Sequence, residues 1–237
     1  MKLLTRLFLA LTLGLAALTA GAQGGPQEGV QYKNVVPPQP TADRNKVEVI
    51  EFFWYACPHC FSMQPILDPW SKNHPVEVLY RRVPVAFGDA KIPHSRMYYV
   101  LEALGRVDEL NMKAFNGIHL EKKLLITGEE QAEYFKQFGV DPAKYLDLYN
   151  SFSVQSKVRA AQQTWQNYQI DGTPTIAVDG RWVTSPSMAG SNKGAMVVVD
   201  DLVDRARKEL LARKKPAPAA ATPVKPVTQP PAKPASK

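Results

Sequence analysis

The stretch Val47-Glu48-Val49-Ile50-Glu51-Phe52-Phe53-Trp54-Tyr55-Ala56-Cys57-Pro58-His59-Cys60 decides the reading of this chain. Its first half alternates and then turns apolar, as a central β-strand does. Trp54-Tyr55-Ala56 follows as a short junction, and a helix is predicted to start at the cysteines. Pro58 suits the first helical turn, where the N–H it lacks would have no partner. Pro65 is expected to kink this helix, which runs on to about Ser71. Two cysteines at such a start lie on one face, a turn apart, and can close a disulfide with little backbone movement. The sequence holds only these 2 cysteines. They form one local pair, Cys57–Cys60, and not a general disulfide framework.

The spacing points to redox chemistry. Cys57 falls where unpaired backbone N–H groups and the helix dipole favour an anion, which lowers its thiol pKa. His59 can add positive charge or hydrogen-bond donation to the thiolate and push the same way. Cys60 is expected to be the more buried, resolving partner. A stabilised Cys57 thiolate leaves easily and favours the reduced pair, so the disulfide form becomes a strong oxidant. A substrate thiolate then attacks Cys57 and expels Cys60, giving a mixed disulfide. The substrate's second thiolate attacks its own bridged sulfur, releases Cys57 and leaves oxidised. Half of a zinc site has the same spacing, but zinc wants four ligands. The remaining histidines, His74, His94 and His119, are scattered, so no metal and no cofactor is expected. An inert structural disulfide is the plainer alternative.

Working outward, Val76–Val83 is a second strand candidate, and Gln31–Val36 a short edge strand. From about Ser95 to Tyr168 the periodicity is helical almost throughout. Thr127-Gly128-Glu129-Glu130 has the spacing of a capping box. Asp141-Pro142 is a cap followed by proline at the first helical position. Strand character returns at Thr175-Ile176-Ala177-Val178. Asp179-Gly180 is a hairpin turn signal, with Arg181-Trp182-Val183 as the return strand. Ser191 caps a last helix from about Lys193 to Leu210. The order is strand, helix, strand, helical block, hairpin, helix. In Gly172-Thr173-Pro174-Thr175, a proline directly before a strand is a candidate for a cis bond, with an ordinary trans turn proline as the alternative. Glu51 lies in an apolar strand six residues before Cys57. It is either buried beneath the pair, where it could relay protons to or from Cys60, or set at the strand edge and open to solvent.

The two ends read differently from the middle. In Met1–Ala22, Lys2 and Arg6 precede the uncharged run Leu7–Leu18, and Ala20-Gly21-Ala22 gives a small-residue cleavage pattern. This is the pattern of a secretory signal and implies export to a compartment where disulfides persist. From Leu211 to Lys237 the chain is rich in Pro, Ala and Lys without an aromatic residue, and is expected to be disordered. The formal net charge is +7. Arg213, Lys214, Lys215, Lys225, Lys233 and Lys237 supply six of these charges without an acid, and Lys2 and Arg6 two more. The remainder carries a net charge of −1, so the high pI gives no support to a nucleic-acid-binding core. Residues 23–210 fit one domain with a helical insertion at about 95–168.

The glutamate-containing strand ending in Cys57-Pro58-His59-Cys60 resembles the DsbA family of bacterial periplasmic dithiol oxidases. So do the long helical block, Ser151-Phe152 with the helix beyond, and Gly172-Thr173-Pro174 followed by Asp179-Gly180. The resemblance covers about residues 30 to 210. It implies an α/β thioredoxin-like fold with an inserted helical domain and periplasmic localisation. In such folds a cis-proline loop faces the CxxC, and Thr173, just before Pro174, offers backbone groups to an extended substrate segment. The implied substrates are reduced or unfolded exported polypeptides, and the implied reoxidant is a membrane quinone-coupled partner of the DsbB type. A monomer is expected. A shallow apolar groove near the pair is also implied, for which Trp54, Tyr55, Phe61 and Met63 are the local candidates. Some members carry a lysine in the second core strand near the buried glutamate. Here the stretch is Leu79-Tyr80-Arg81-Arg82, and either Arg81 or Tyr80 fills that place. Where some members have valine before the proline, this chain has Thr173, which adds a hydroxyl near the sulfurs.

Other functions remain open on the sequence. A disulfide isomerase or reductase would use the same pair, although no dimerisation module of the kind proofreading isomerases need is evident. A peptide-binding chaperone would use the groove without turnover. A glutathione-linked enzyme on the same architecture is disfavoured by the export signal and the complete CxxC.

Overall fold

The computed structural model describes residues 25–214. Five strands make one sheet: β1 (Lys33–Asn34), β2 (Val47–Phe53), β3 (Val78–Pro84), β4 (Thr175–Val178) and β5 (Trp182–Thr184). Their spatial order is β1-β5-β4-β2-β3. β2 runs parallel to β3 and antiparallel to β4, so Glu51 lies opposite Arg82 on one side and Ile176 on the other. All of β2 is buried. That is why its sequence turns apolar towards Phe52-Phe53: a strand covered on both faces has no solvent side.

Helix α1 (Pro58–Lys72) connects β2 to β3. Five helices follow: α2 (Ile92–Ala103), α3 (Val107–His119), α4 (Gly128–Lys136), α5 (Pro142–Asn150) and α6 (Phe152–Asn167). They form the inserted helical unit between β3 and β4. A short helix α7 (Pro186–Ala189) and the long α8 (Asn192–Lys214) complete the described chain. Two apolar clusters hold the layers together. On one face of the sheet, Val47, Val49, Ile176 and Val178 pack with Met63 and Leu67 of α1 and Val199 and Leu202 of α8. On the other, Ile50 and Phe52 pack into the cluster that includes Leu101, Phe115, Phe135 and Tyr145 of the insertion. The period-2 alternation of β2 thus assigns successive residues to different subdomains.

Local signals act where they stand. The Thr127 hydroxyl accepts from Glu130 N–H, and the Glu130 carboxylate reaches back past the cap to accept from Ile126 N–H, at the start of α4. Asp141 accepts from Ala143 N–H and Ser151 from Val154 N–H. Asp179 and Gly180 have φ of 54° and 68°, the left-handed pair at the centre of the turn that Arg181 N–H closes by donating to the Val178 carbonyl at 3.1 Å. A Cβ on Gly180 would run into the Gln39 carbonyl oxygen, so glycine is needed there twice over.

Some boundaries differ from the sequence reading. The last helix does not stop at Leu210 but continues to Lys214, so Leu211–Lys214 are helical and not part of the tail. Arg213 and Lys214 suit the negative end of the helix dipole, and Lys214 Nζ donates to the Asn45 carbonyl at 3.0 Å. The insertion begins at Ile92, with Pro93 in its first turn. The export signal at Met1–Ala22 and the tail from Lys215 to Lys237 lie outside the described residues.

Candidate active site

Cys57 is the N-cap of α1, in extended conformation, and Pro58 occupies the first turn. The junction holds this start in place: Cys57 N–H donates to the Trp54 carbonyl at 3.0 Å, and Phe61 N–H donates to the Cys57 carbonyl at 3.1 Å. Both cysteines are free thiols. Cys57 keeps 7% of its surface open, whereas Cys60 has none. Of the two sulfurs, access favours Cys57 for exchange with a second thiol.

The two thiols are driven apart in acidity. The pKa of Cys57 falls to about 5, chiefly because the Cys60 thiol donates to its sulfur. Partial burial opposes this, and the Thr173 side chain and the backbone N–H groups of Cys60 and His59 add to it. Cys60 moves far the other way: burial raises it first, then the hydrogen bond to Cys57, the Cys57 charge and the Glu51 charge. One proton shared between two sulfurs thus rests on the buried one.

The Thr173–Pro174 bond is cis, and the Thr173 carbonyl lies 3.2 Å from the Cys57 sulfur. The turn and the pair are brought together by the pairing of β4 with β2. His59, exposed on α1, lines an open groove of about 410 Å³ with Asp171, Thr173, Pro174, Ser185 and Ser187. What His59 gives the thiolate here is its backbone N–H.

Glu51 is fully buried on the α1 side of the sheet. Its carboxylate accepts from Gln64 Nε2 at 2.7 Å, Tyr80 Oη at 2.6 Å and Arg82 Nε at 2.9 Å. Of the two neighbours expected from sequence, Tyr80 meets Glu51 and Arg81 does not. Arg81 points to the other face and pairs with Glu48 at 2.8 Å. The buried cation beside Glu51 is Arg82, which sequence reasoning passed over. Tyr80 and Arg82 are two residues apart on β3, so the alternation that places one places the other.

The apolar candidates divide. Trp54 and Phe61 are partly exposed and pack at the edge of the core. Tyr55 and Met63 have no exposed surface, so against expectation they do not line a groove. The Tyr55 ring packs on Phe53 and Phe115, and Met63 faces the cluster between the sheet and α8. Each lies on the inward side of its element, which local apolarity could not distinguish from the outward side. Gln64, Asn111 and His119 hold the residues flanking the pair, Gln64 through Glu51 and Asn111 and His119 through Tyr55, and nothing local in the sequence marks them for this. Gln64 and Asn111 are polar residues in amphipathic helices, recognisable as inward-facing only once their helices are packed.

An acidic, accessible thiol beside a buried, strongly protonated one is built for thiol–disulfide exchange, and a strand–CxxC–helix facing a proline turn in a mixed sheet is thioredoxin-like. These features define a thiol–disulfide oxidoreductase with an inserted helical subdomain. Comparison with known proteins narrows this. The DSBA-like thioredoxin domain matches residues 48–196. The thiol:disulfide interchange protein DsbA of Burkholderia cepacia is 41% identical over 212 residues, which are 89% of this chain and 99% of that protein. Its counterpart in Bordetella pertussis is 43% identical over 205 residues, covering 86% and 97%. The crystal structure of Pseudomonas aeruginosa DsbA is similar at a TM-score of 0.76 and 34% identity, covering 80% of this chain and 97% of that one. The chain belongs to the DsbA family of periplasmic thiol–disulfide oxidoreductases. Its redox centre is the Cys57–Cys60 pair, through which it exchanges disulfides with partner proteins.

Proposed function

We propose that the Cys57–Cys60 disulfide oxidises cysteine pairs in reduced or unfolded exported polypeptides and is restored by a membrane quinone-coupled partner of the DsbB type. In this reading Met1–Ala22 directs export, and one copy of the chain suffices for turnover. The observation that carries the proposal is the depression of the Cys57 thiol to about 5. A thiolate that stable is a good leaving group and favours the reduced pair, which makes the disulfide form oxidising.

The substrate's first thiolate attacks Cys57 Sγ, the Cys57–Cys60 bond breaks, and the electron pair goes to Cys60, which takes up a proton. The substrate's second thiolate then attacks the substrate sulfur of the mixed disulfide and releases Cys57 as thiolate. Two electrons pass from substrate to enzyme, and the quinone-coupled partner removes them. Glu51 is assigned the relay of protons to and from Cys60; its burial on the α1 side and its three donors favour this over a solvent-facing role. Pro58 and His59 shape the first turn that holds the Cys57 thiolate. Thr173 and Pro174 are assigned to an extended substrate segment lying beside the groove, with Trp54 and Phe61 as flanking apolar contacts. Because Thr173 O already sits against Cys57 Sγ, a segment paired with this turn would bring its cysteine to the same sulfur.

Equilibration of the pair in glutathione buffer tests the assignment. A potential near about −120 mV, the reference value for DsbA itself, is expected, and one near about −270 mV, the thioredoxin reference, would replace oxidase by reductase or isomerase.

A further inference from the structure

Helix α3 carries Asn111, Phe115 and His119 at four-residue spacing, which places them on one face. All three touch Tyr55. Its hydroxyl donates to Asn111 Oδ1 at 2.9 Å, and its ring meets that of Phe115 at 4.9 Å and 62°. Its backbone carbonyl lies 2.7 Å from His119 Nε2. A carbonyl can only accept, so Nε2 carries the proton and donates. His119 also reaches the far side of the redox pair. Its ring stacks on Phe61 with centroids 4.7 Å apart and planes 4° from parallel. Tyr55 stands two residues before Cys57, and Phe61 directly follows Cys60. One side chain of the helical insertion therefore grips both flanks of the CxxC turn.

We propose that His119 is a positioning residue of the exchange reaction: by clamping Tyr55 and Phe61 it fixes the Cys57 sulfur against its backbone donors and against Thr173. It acts through those two residues and not on the sulfurs themselves. The donors concerned, the N–H groups of His59 and Cys60, lie in the turn that the clamp spans. Hydrogen bonds weaken steeply as their geometry opens, and exchange between sulfurs depends on their alignment. The insertion is thus more than a cover for the sheet; it takes part in setting the reactivity of the pair.

Two half-variants separate the two contacts. His119→Phe keeps a ring for Phe61 and loses the donor; His119→Gln keeps an N–H for the Tyr55 carbonyl and loses the stack. The readouts are the ultraviolet absorbance of the Cys57 thiolate against pH and the rate of oxidation of a dithiol peptide. In His119→Phe, which loses the Tyr55 contact, the thiolate midpoint is expected to rise and the rate at neutral pH to fall by about tenfold; in His119→Gln, which loses the Phe61 contact, both are expected to move in the same direction. A folded His119→Phe protein with the parental titration and rate overturns the proposal, and so does a folded His119→Gln protein with both unchanged, since either result leaves one side of the clamp without effect. Should His119→Phe not fold, ¹⁵N NMR of the unmodified protein decides. The His119 ring nitrogens are expected to shift between dithiol and disulfide forms, and identical shifts overturn the proposal.

Discussion

The Cys57 sulfur lies 3.2 Å from the carbonyl oxygen of Thr173, a residue 116 positions further along the chain. The contact joins the start of α1 to the turn before β4, which the antiparallel pairing of β4 with β2 carries alongside. Thr173 acts on the sulfur in two opposed ways. Its carbonyl can accept from the thiol, whereas its side chain stabilises the thiolate and lowers the Cys57 pKa.

Thr173→Val removes the side-chain donor and keeps the shape. The Cys57 pKa is expected to rise by up to about one unit, because one stabilising hydrogen bond to the charged form is lost. The oxidising strength of the disulfide falls with it. Thiolate absorbance against pH measures the first effect and glutathione equilibration the second. An unmoved titration would remove the side chain of Thr173 from the account of Cys57.

Stability of the dithiol form should depend on pH in a defined window. Cys57 titrates at about 5 in the folded protein against an ordinary 9.0. A depressed pKa adds stability that is complete above the unfolded value and is lost as pH falls through the folded value. Cys60 is raised above its ordinary value, mainly by burial. It therefore subtracts stability only as pH climbs beyond the ordinary thiol range. The dithiol form should gain on the disulfide form from about pH 5 to about pH 9 and lose above that. Guanidinium unfolding of the two forms across this range checks it; a difference that is flat in pH contradicts the depressed thiol.

Arg82 and Glu51 form a buried ion pair at 2.9 Å, with side chains 5% and 0% exposed. Removing one partner of such a pair strands a charge, so Arg82→Met is expected to cost about 3 kcal/mol or more. Replacing both, as Glu51→Leu with Arg82→Met, should recover much of that loss, because no buried charge is left uncompensated. Denaturant midpoints of the single and double variants give the comparison.

Gly180→Ala tests the hairpin. Alanine would have to adopt a φ of 68°, and its Cβ would collide with the Gln39 carbonyl. Backbone strain of this kind costs about 1–3 kcal/mol before the collision is counted. A clear fall in melting temperature with normal exchange kinetics is expected, since the turn lies at the end of β4 away from the sulfurs. A variant as stable as the parent would show that the Gln39 segment moves aside freely.

Much of this was readable from local pattern. The apolar run ending in Phe52-Phe53, the cysteines at a helix start and the caps at Thr127, Asp141 and Ser191 each act within one strand or one turn. So does the Asp179-Gly180 pair. Such signals need no knowledge of distant neighbours, and the elements appeared where they stand. Boundaries moved by a few residues, as at Ile92 and Lys214, because the ends of helices are settled by the contacts waiting there.

What the sequence by itself determined was the redox pair, its place at the start of a helix and the order of elements around it. Only the tertiary structure decided which cation meets Glu51, which aromatic residues face inward, how Thr173 comes to the Cys57 sulfur and how His119 comes to Tyr55 and Phe61. The reason is register. A slip of one residue between β2 and β3 exchanges Arg81 for Arg82 at Glu51, because side chains alternate with period two. Nothing local to Leu79-Tyr80-Arg81-Arg82 fixes that register. It is fixed by the summed burial of Val47, Val49 and Ile50 against both layers, a quantity that exists only once the layers have packed.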